Sequence, residues 1–189
     1  MDINRQNALE LFEKWIDSES LIKHSLAVEG AMRGCAEYFN EDPEIWGVCG
    51  LLHDIDFQKY PNDEHLEHGP KILEEAGYPE YFVDAVKGHG DFTNTPRETN
   101  MAKSLYAVDQ LASFIIAVAL VRPTKLEGMK YKSVKKKVKD KAFAKAVDRD
   151  EMERGAKELG IEFSELVMIV VKALQKREEE LNLQEQSLF

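Results

Sequence analysis

Pro43-Glu44-Ile45-Trp46-Gly47-Val48-Cys49-Gly50-Leu51-Leu52-His53-Asp54 is the stretch whose reading decides the fold. Proline suits the first helical position, and the residues after it are apolar all round, the pattern of a buried helix without a wet face. The run ends in an imidazole and a carboxylate side by side. Burying either group is costly unless it finds a partner, and a divalent cation satisfies both together. For the pair on its own, a helix end dipping into solvent is the plainer explanation. What separates the two readings is whether other apolar faces carry polar residues to meet the pair.

Working outward, Leu9, Leu11, Phe12, Trp15 and Ile16 fall at mostly helical spacing over residues 6–16, closed by Asp17 and Ser18. Ser18 or Ser20 can cap a second helix over 20–39, whose apolar stripe runs Leu21, Val28, Ala31, Met32, Cys35 and Phe39. His24 falls on that stripe. Residues 56–67 are polar, contain Pro61-Asn62-Asp63 and show no period, which predicts a loop draped over the end of the His-Asp helix. Short helices are predicted at 69–76, ended by Gly77, and at 80–87, between Pro79 and Gly88-His89-Gly90. A long helix over 98–121 presents Leu105, Val108, Ala112, Ile115, Ile116 and Ala119 along one face, with Asp109 inside the stripe. Val121-Arg122-Pro123 ends it, because proline disfavours helical geometry in the residue before it. Helices at 133–147, 150–158 and 163–181 complete a chain with no internal repeat, linker or β-strand pattern. The expectation is an all-α, single-domain bundle.

With 189 residues, 43% of them hydrophobic, the chain is long enough for one well-buried core. A net charge of -10 and a pI of about 5.1 give a surface that repels nucleic acid and anionic membranes. The N-terminus lacks the basic-then-apolar order of a signal peptide, and no apolar run is read as approaching a membrane span of ~20 residues. These features predict a cytoplasmic protein with neither a nucleic-acid nor a membrane partner. Cys35 and Cys49 lie in helical patterns without metal-ligand spacing and read as small buried residues in a reducing compartment. No feature of the sequence fixes an oligomeric state.

Alone, His24 reads as a core histidine bonded to a carbonyl, and Asp109 as a buried cap or ion-pair partner. With His53 and Asp54 they make two imidazoles and two carboxylates on three apolar helices that a bundle would bring together. Such a nitrogen and oxygen set suits a first-row divalent ion, with positions left for water and substrate.

The order His24, His53-Asp54, Asp109, with Gly-Leu-Leu-His-Asp at the pair and Tyr-Ala-Val-Asp-Gln around the last, resembles the HD superfamily of metal-dependent phosphohydrolases over residues 20–125. The resemblance implies an HD-type helical bundle in which these four residues hold one divalent metal (Mn, Mg, Fe, Co, Ni or Zn). Residues 20–125 would form the metal-site core, and 126–189 a helical extension of the same domain. His65-Leu66-Glu67-His68-Gly69-Pro70-Lys71-Ile72-Leu73 is similar to the His-x-x-x-Gly-x-x-Ile-Leu stretch of HD subfamilies that hold two metals. It places His65 at a ligand position, and His89 falls where those subfamilies have another, so a second ion is allowed for. A solvated loop is the plainer reading of His65 and His68, and the roles of these two histidines stay open. No paired histidine stands at 89 and no Gly-Tyr-Pro signature follows it; the tripeptide Gly77-Tyr78-Pro79 lies ahead of it and reads as a helix stop and start. A cyclic-dinucleotide substrate is therefore disfavoured.

The implied reaction is hydrolysis of a small phosphorylated substrate, a nucleotide or other phosphomonoester rather than a polymer. The metal would polarise a phosphoryl oxygen and activate water. Asp54 and Asp56 are the candidate catalytic carboxylates, with Asp56 or a neighbouring histidine moving the proton. Arg122 and Lys125, just past the Asp109 helix, are candidates to neutralise charge on the substrate phosphate. The run from Lys130 to Lys141 carries seven lysines and one acid, most simply a solvated helix whose Val134 and Val138 face the core. Two other readings compete: a non-catalytic binding or regulatory module with the metal as a clasp, and oxygen chemistry at a di-iron site, which some HD members carry out. Four polar groups on buried faces argue against the first, and measured metal content separates the second.

Overall fold

Asn4 opens the first helix, α1 (Arg5–Phe12), by accepting the Asn7 N–H on its side-chain oxygen at 2.9 Å. The helix stops four residues short of the predicted end. Lys14 and Trp15 donate to carbonyls three residues back, tightening the chain into a turn that still delivers Ile16 to the core. The computed structural model describes residues 2–189, leaving aside the side chain of Asp63. Among the described residues the fold is all-α, with no strand.

The second helix, α2 (Glu19–Phe39), ends at Asn40, whose left-handed φ of 57° lets Glu41 N–H reach back to the Ala36 carbonyl. Two residues later Asp42 caps α3 (Pro43–Leu52), accepting from Glu44 N–H at 2.8 Å. Helices α2 and α3 lie against each other closely. A side chain at Gly50 would place a Cβ 2.7 Å from the Val28 carbonyl oxygen, so the crossing needs glycine there. The next two helices are short, α4 (Gly69–Glu75) and α5 (Glu80–Lys87), followed by the long α6 (Asn100–Leu120), capped by the Thr99 side chain. The remainder comprises α7 (Tyr131–Val138), α8 (Arg149–Leu159) and α9 (Phe163–Asn182).

Helices α2 and α6 form the centre. α3, α6 and α9 pack on α2, while α5 and α8 pack on α6. Met32, Leu51, Leu52, Leu105, Leu111, Ile115, Val170 and Leu174 are fully buried there, each side chain worth about 1.5–3 kcal/mol of transfer free energy. α6 is long and apolar enough, by length and composition, to cross a membrane, a property the sequence reading did not assign to it. In the fold those apolar side chains are spent on the core, and the helix carries buried Asp109 at its middle.

One charged group holds four elements together. Glu29 on α2 is fully buried and accepts from Arg5 at 2.7 Å, Arg33 at 3.3 Å and Arg177 of α9 at 2.7 Å, while Arg33 also reaches Glu44 of α3. The helix expected over 133–147 ends at Val138 instead. Asp140 accepts from Ala142 N–H, Ala144 takes a φ of 40°, and the Arg149 guanidinium gathers the carbonyls of Phe143, Ala144 and Val147, replacing helical bonding by a looped turn. Residues 126–189 are more than an appendage to the 20–125 core. A Cβ on Gly155 would lie 2.5 Å from Ala107 Cα, so α8 presses directly on α6. That contact carries the first turn of α8 to the neighbourhood of Asp109.

Candidate metal centre

Four imidazoles converge, and in each the Nδ1 is already engaged. His53, the residue that ends α3, donates from Nδ1 to the Gly50 carbonyl at 2.8 Å. His89, just past α5, donates in the same way to Val86 at 2.6 Å. His65 donates to Asp56 Oδ1 at 2.6 Å, and His24 on α2 has its Nδ1 3.0 Å from the Ser113 hydroxyl of α6. An imidazole bonded through Nδ1–H presents the lone pair of Nε2. All four Nε2 atoms face inward, His24 and His53 3.1 Å apart and His65 and His89 3.2 Å apart. Two lone pairs that close repel unless a cation lies between them.

Asp54 stands between the pairs. Its Oδ2 is 3.3 Å from His24 Nε2 and 3.4 Å from His53 Nε2, while its Oδ1 is 3.1 Å from His65 Nε2 and 3.4 Å from His89 Nε2. Asp109 closes the first group from α6, its Oδ1 3.2 Å from His24 and 3.6 Å from His53. Donor atoms of His24, His53 and Asp109 lie within 4.8 Å of one another, as do those of His53, Asp54 and His89. The set fits one divalent ion at His24, His53, Asp54 and Asp109 and a second at His65, His89 and the other oxygen of Asp54.

The charges follow from this crowding. Burial by itself pulls the His24 imidazole down, but the carboxylates of Asp109 and Asp54 outweigh it and hold His24 at about 10. Against the same pull of burial, Asp54 and Asp109 raise His53 to about 9, and Asp54 and Asp56 raise His65 to about 9. Burial works against ionisation of Asp54 and Asp109, yet the facing imidazoles hold both carboxyls far below the ordinary range. Without metal the cluster is a proton trap.

Asp56, expected to move a proton at the reacting centre, is turned away from the cavity. Its Oδ1 is taken by His65, and its Oδ2 by the backbone N–H groups of Leu66 at 3.0 Å and Gly69 at 2.6 Å. It is therefore a positioning residue for His65 rather than a candidate proton carrier. His68, whose role the sequence left open, stacks on Tyr60 with ring centres 3.7 Å apart and stays outside the cluster.

Arg122 and Lys125 are also remote from it. About 16 Å of helix separates Asp109 from Leu120 at 1.5 Å per residue. The Arg122 guanidinium is spent on the carbonyls of Lys125 and Glu127 and the hydroxyls of Thr124 and Ser133. Lys125 lies over the Phe189 ring at 4.2 Å. Both organise the turn after α6, and the role expected of them at a substrate phosphate is withdrawn. The lysines of α7 face outward around buried Val134.

A cavity of about 590 Å³ opens onto the cluster, with Leu21, Phe57, Leu66 and Phe92 among its apolar walls and Gln110, Asp91 and Glu151 among its polar ones. The sequence did not single out Glu151. It lies in the first turn of α8, where an acid is already explained by the helix dipole, so only the packing of α8 on α6 shows that it reaches the cavity. Burial, then the charges of Asp109, Asp148 and Asp91, push its carboxyl up to about 7.

The family model of the HD domain matches residues 21–149, from the start of α2 to the first residue of α8. No solved structure is a significant match to the chain. Over two thirds of its length, and with His24, His53, Asp54, His65, His89 and Asp109 gathered at one cluster, the chain belongs to the HD domain family, in which most members are metal-dependent phosphohydrolases.

Proposed function

We propose that the chain hydrolyses a small phosphorylated substrate at a centre of two divalent metal ions. One observation carries the reading: the two oxygens of Asp54 face two different histidine pairs, 3.1 to 3.4 Å away, as a bridging carboxylate does. His24, His53 and Asp109 would hold one ion and His65 and His89 the other, with Asp54 shared. Four imidazoles favour first-row ions such as Mn, Fe, Co, Ni or Zn over Mg. When bound, the ions supply the Lewis acidity that neutralises phosphoryl charge and makes water a competent nucleophile.

The chain's own part is positioning. Backbone carbonyls at Gly50 and Val86 fix the tautomers of His53 and His89, and Asp56 fixes that of His65, so the donors are set before any ion arrives. Leu21, Phe57 and Leu66 give the cavity apolar wall beside the ligand cluster, surface against which the organic part of a substrate can pack. Gln110 offers an amide at the cavity edge able to donate to a substrate oxygen.

A second reading, oxygen chemistry at a di-iron site, is favoured by one feature. Among the described residues lining the cavity there is no lysine or arginine, so nothing but the metal centre calls for a phosphate. The deciding experiment is reconstitution with Mn, Fe, Co, Ni or Zn, metal analysis, and turnover of nucleotides, other phosphomonoesters and phosphodiesters alongside oxygen uptake. Two metals per chain with phosphate release supports the proposal. Oxygen uptake only in the iron form transfers the site to the second reading, and bound metal with neither activity leaves a binding or regulatory module.

A further inference from the structure

Apart from the imidazoles of the cluster itself, the charged side chains lining the cavity are all acidic. Asp54, Asp91, Asp109 and Glu151 line it, and no lysine or arginine does so among the described residues. Arg97 and Arg154 are held back from it. Arg97 donates to Asp91 at 3.0 Å and to both oxygens of Glu158 at 2.8 and 2.9 Å, and Arg154 donates to Asp91 at 3.1 Å. Tyr106 adds its hydroxyl to the same Asp91 carboxylate at 3.1 Å. The Glu151 carboxylate differs from Asp91: among the described residues it has no hydrogen-bond or ion-pair partner, and it sits beside Gln110 and Asp109 at the cavity edge.

Building on the two-metal reading, we infer that Glu151 makes the site selective for a monophosphate and excludes diphosphates and triphosphates. The charge balance is simple. Two divalent ions carry four positive charges, Asp54 and Asp109 return two, and a phosphomonoester dianion supplies the remaining two. Each further phosphate would add charge that no side chain neutralises, and the chain leading out of the cluster would pass the unpaired Glu151. Like charges set opposite one another discriminate between ligands that share every other contact. The organic part of the substrate meets Phe57, Leu66 and half-exposed Phe92, which offer apolar surface without charge in the same cavity.

The test uses the two-metal protein at pH 8.5 and measures binding by calorimetry, with hydrolysis followed separately. Adenosine monophosphate and adenosine triphosphate are the probes, and metal content is measured after each titration so that chelation is not counted as binding. The monophosphate should bind at least about tenfold more tightly than the triphosphate, a ratio expected from one uncompensated like-charge contact. Glu151→Gln should shrink that ratio, and Glu151→Lys should remove or invert it, with metal stoichiometry unchanged in both. Equal or tighter triphosphate binding by the unaltered protein overturns the inference, as does a ratio unmoved by either substitution. Tighter triphosphate binding lost in Arg154→Ala would assign selectivity to an arginine that leaves Asp91, and would overturn it in the opposite sense. Failure to bind either nucleotide overturns it as well. Selective binding without hydrolysis upholds the charge argument and sinks the proposed reaction, so the two fail separately.

Discussion

Replacing Asp56 by asparagine tests how the second half of the centre is built, because the change is nearly isosteric and touches no inward-facing donor. Asp56 receives three hydrogen bonds, from His65 Nδ1 at 2.6 Å, Leu66 N at 3.0 Å and Gly69 N at 2.6 Å. Burial opposes its ionisation, but these donors hold its carboxyl below the ordinary range. An amide has one oxygen to offer where the carboxylate has two, so at least one donor loses its acceptor and another meets an N–H₂ group. Hydrogen bonds to a charged group contribute about 1.5–3 kcal/mol each, and an unsatisfied buried donor costs about 1–3 kcal/mol. If the amide turns its oxygen to the backbone, His65 is free to rotate or change tautomer, and loss of such an outer partner costs about 10–100-fold in metal affinity or activity. The expected result is a protein that keeps its helical content, melts at lower temperature, and titrates with one tight metal where the two-metal reading expects two in the parent. Direct metal analysis combined with calorimetric titration reads both quantities. Unchanged affinity at both sites would refute the idea that Asp56 acts through His65, and loss of both sites together would show that the two ions are not separable.

Four further outcomes are expected. Glu29→Ala leaves the buried Arg177 without its 2.7 Å partner and should cost about 3–5 kcal/mol. At about 2–4 °C per kcal/mol for a chain of this size, calorimetry should show the midpoint falling by roughly 6–20 °C, and an unmoved midpoint contradicts the network's role. Gly50→Ala drives a Cβ to 2.7 Å from the Val28 carbonyl and should displace His53, anchored on the Gly50 carbonyl, from His24; about 1–3 kcal/mol and weaker binding of the first metal should follow, while unaltered metal binding would show that the crossing is softer than the contact implies. Arg122→Ala should lower stability by only about 0.5–1.5 kcal/mol, because the carbonyls of Lys125 and Glu127 it releases are exposed to water, without changing turnover per metal-loaded molecule; a selective rise in KM would restore it to the substrate site. In the metal-free protein, His24 at about 10 and His53 and His65 at about 9 lie above the unfolded value of about 6.5, so their contribution is complete below that value and fades as pH rises towards 9–10. Metal requires the neutral imidazoles, so its affinity should increase over the same window with release of protons, and calorimetry in buffers of different ionisation heat would expose a pH-independent affinity if these histidines are not ligands.

Much of the fold is written locally. The start of α3 at Pro43 and the apolar faces of α2, α3 and α6 are each set by residues within a few positions of one another, which is why proline and periodicity reveal them. The order His24, His53-Asp54, Asp109 is legible for the same reason: a polar residue on an apolar stripe is visible without knowing what the stripe packs against. The sequence misleads where side-chain bonding overrides periodicity, as at Arg149, which collects the carbonyls of Phe143, Ala144 and Val147 and pulls the predicted 133–147 helix into a loop.

By itself, then, the sequence determined an all-α chain and the identity of the first four candidate ligands. Tertiary structure decided that His65 and not His68 joins the cluster, that Asp56 backs a histidine instead of facing the cavity, that Arg122 and Lys125 lie at the far end of α6, and that Glu151 arrives from a helix more than forty residues beyond Asp109. The physical reason is that helical periodicity fixes a side chain's direction only relative to its own axis. Which directions meet is set by how closely the axes approach, and here that is governed by Gly50 against Val28 and Gly155 against Ala107, contacts between residues far apart in the chain.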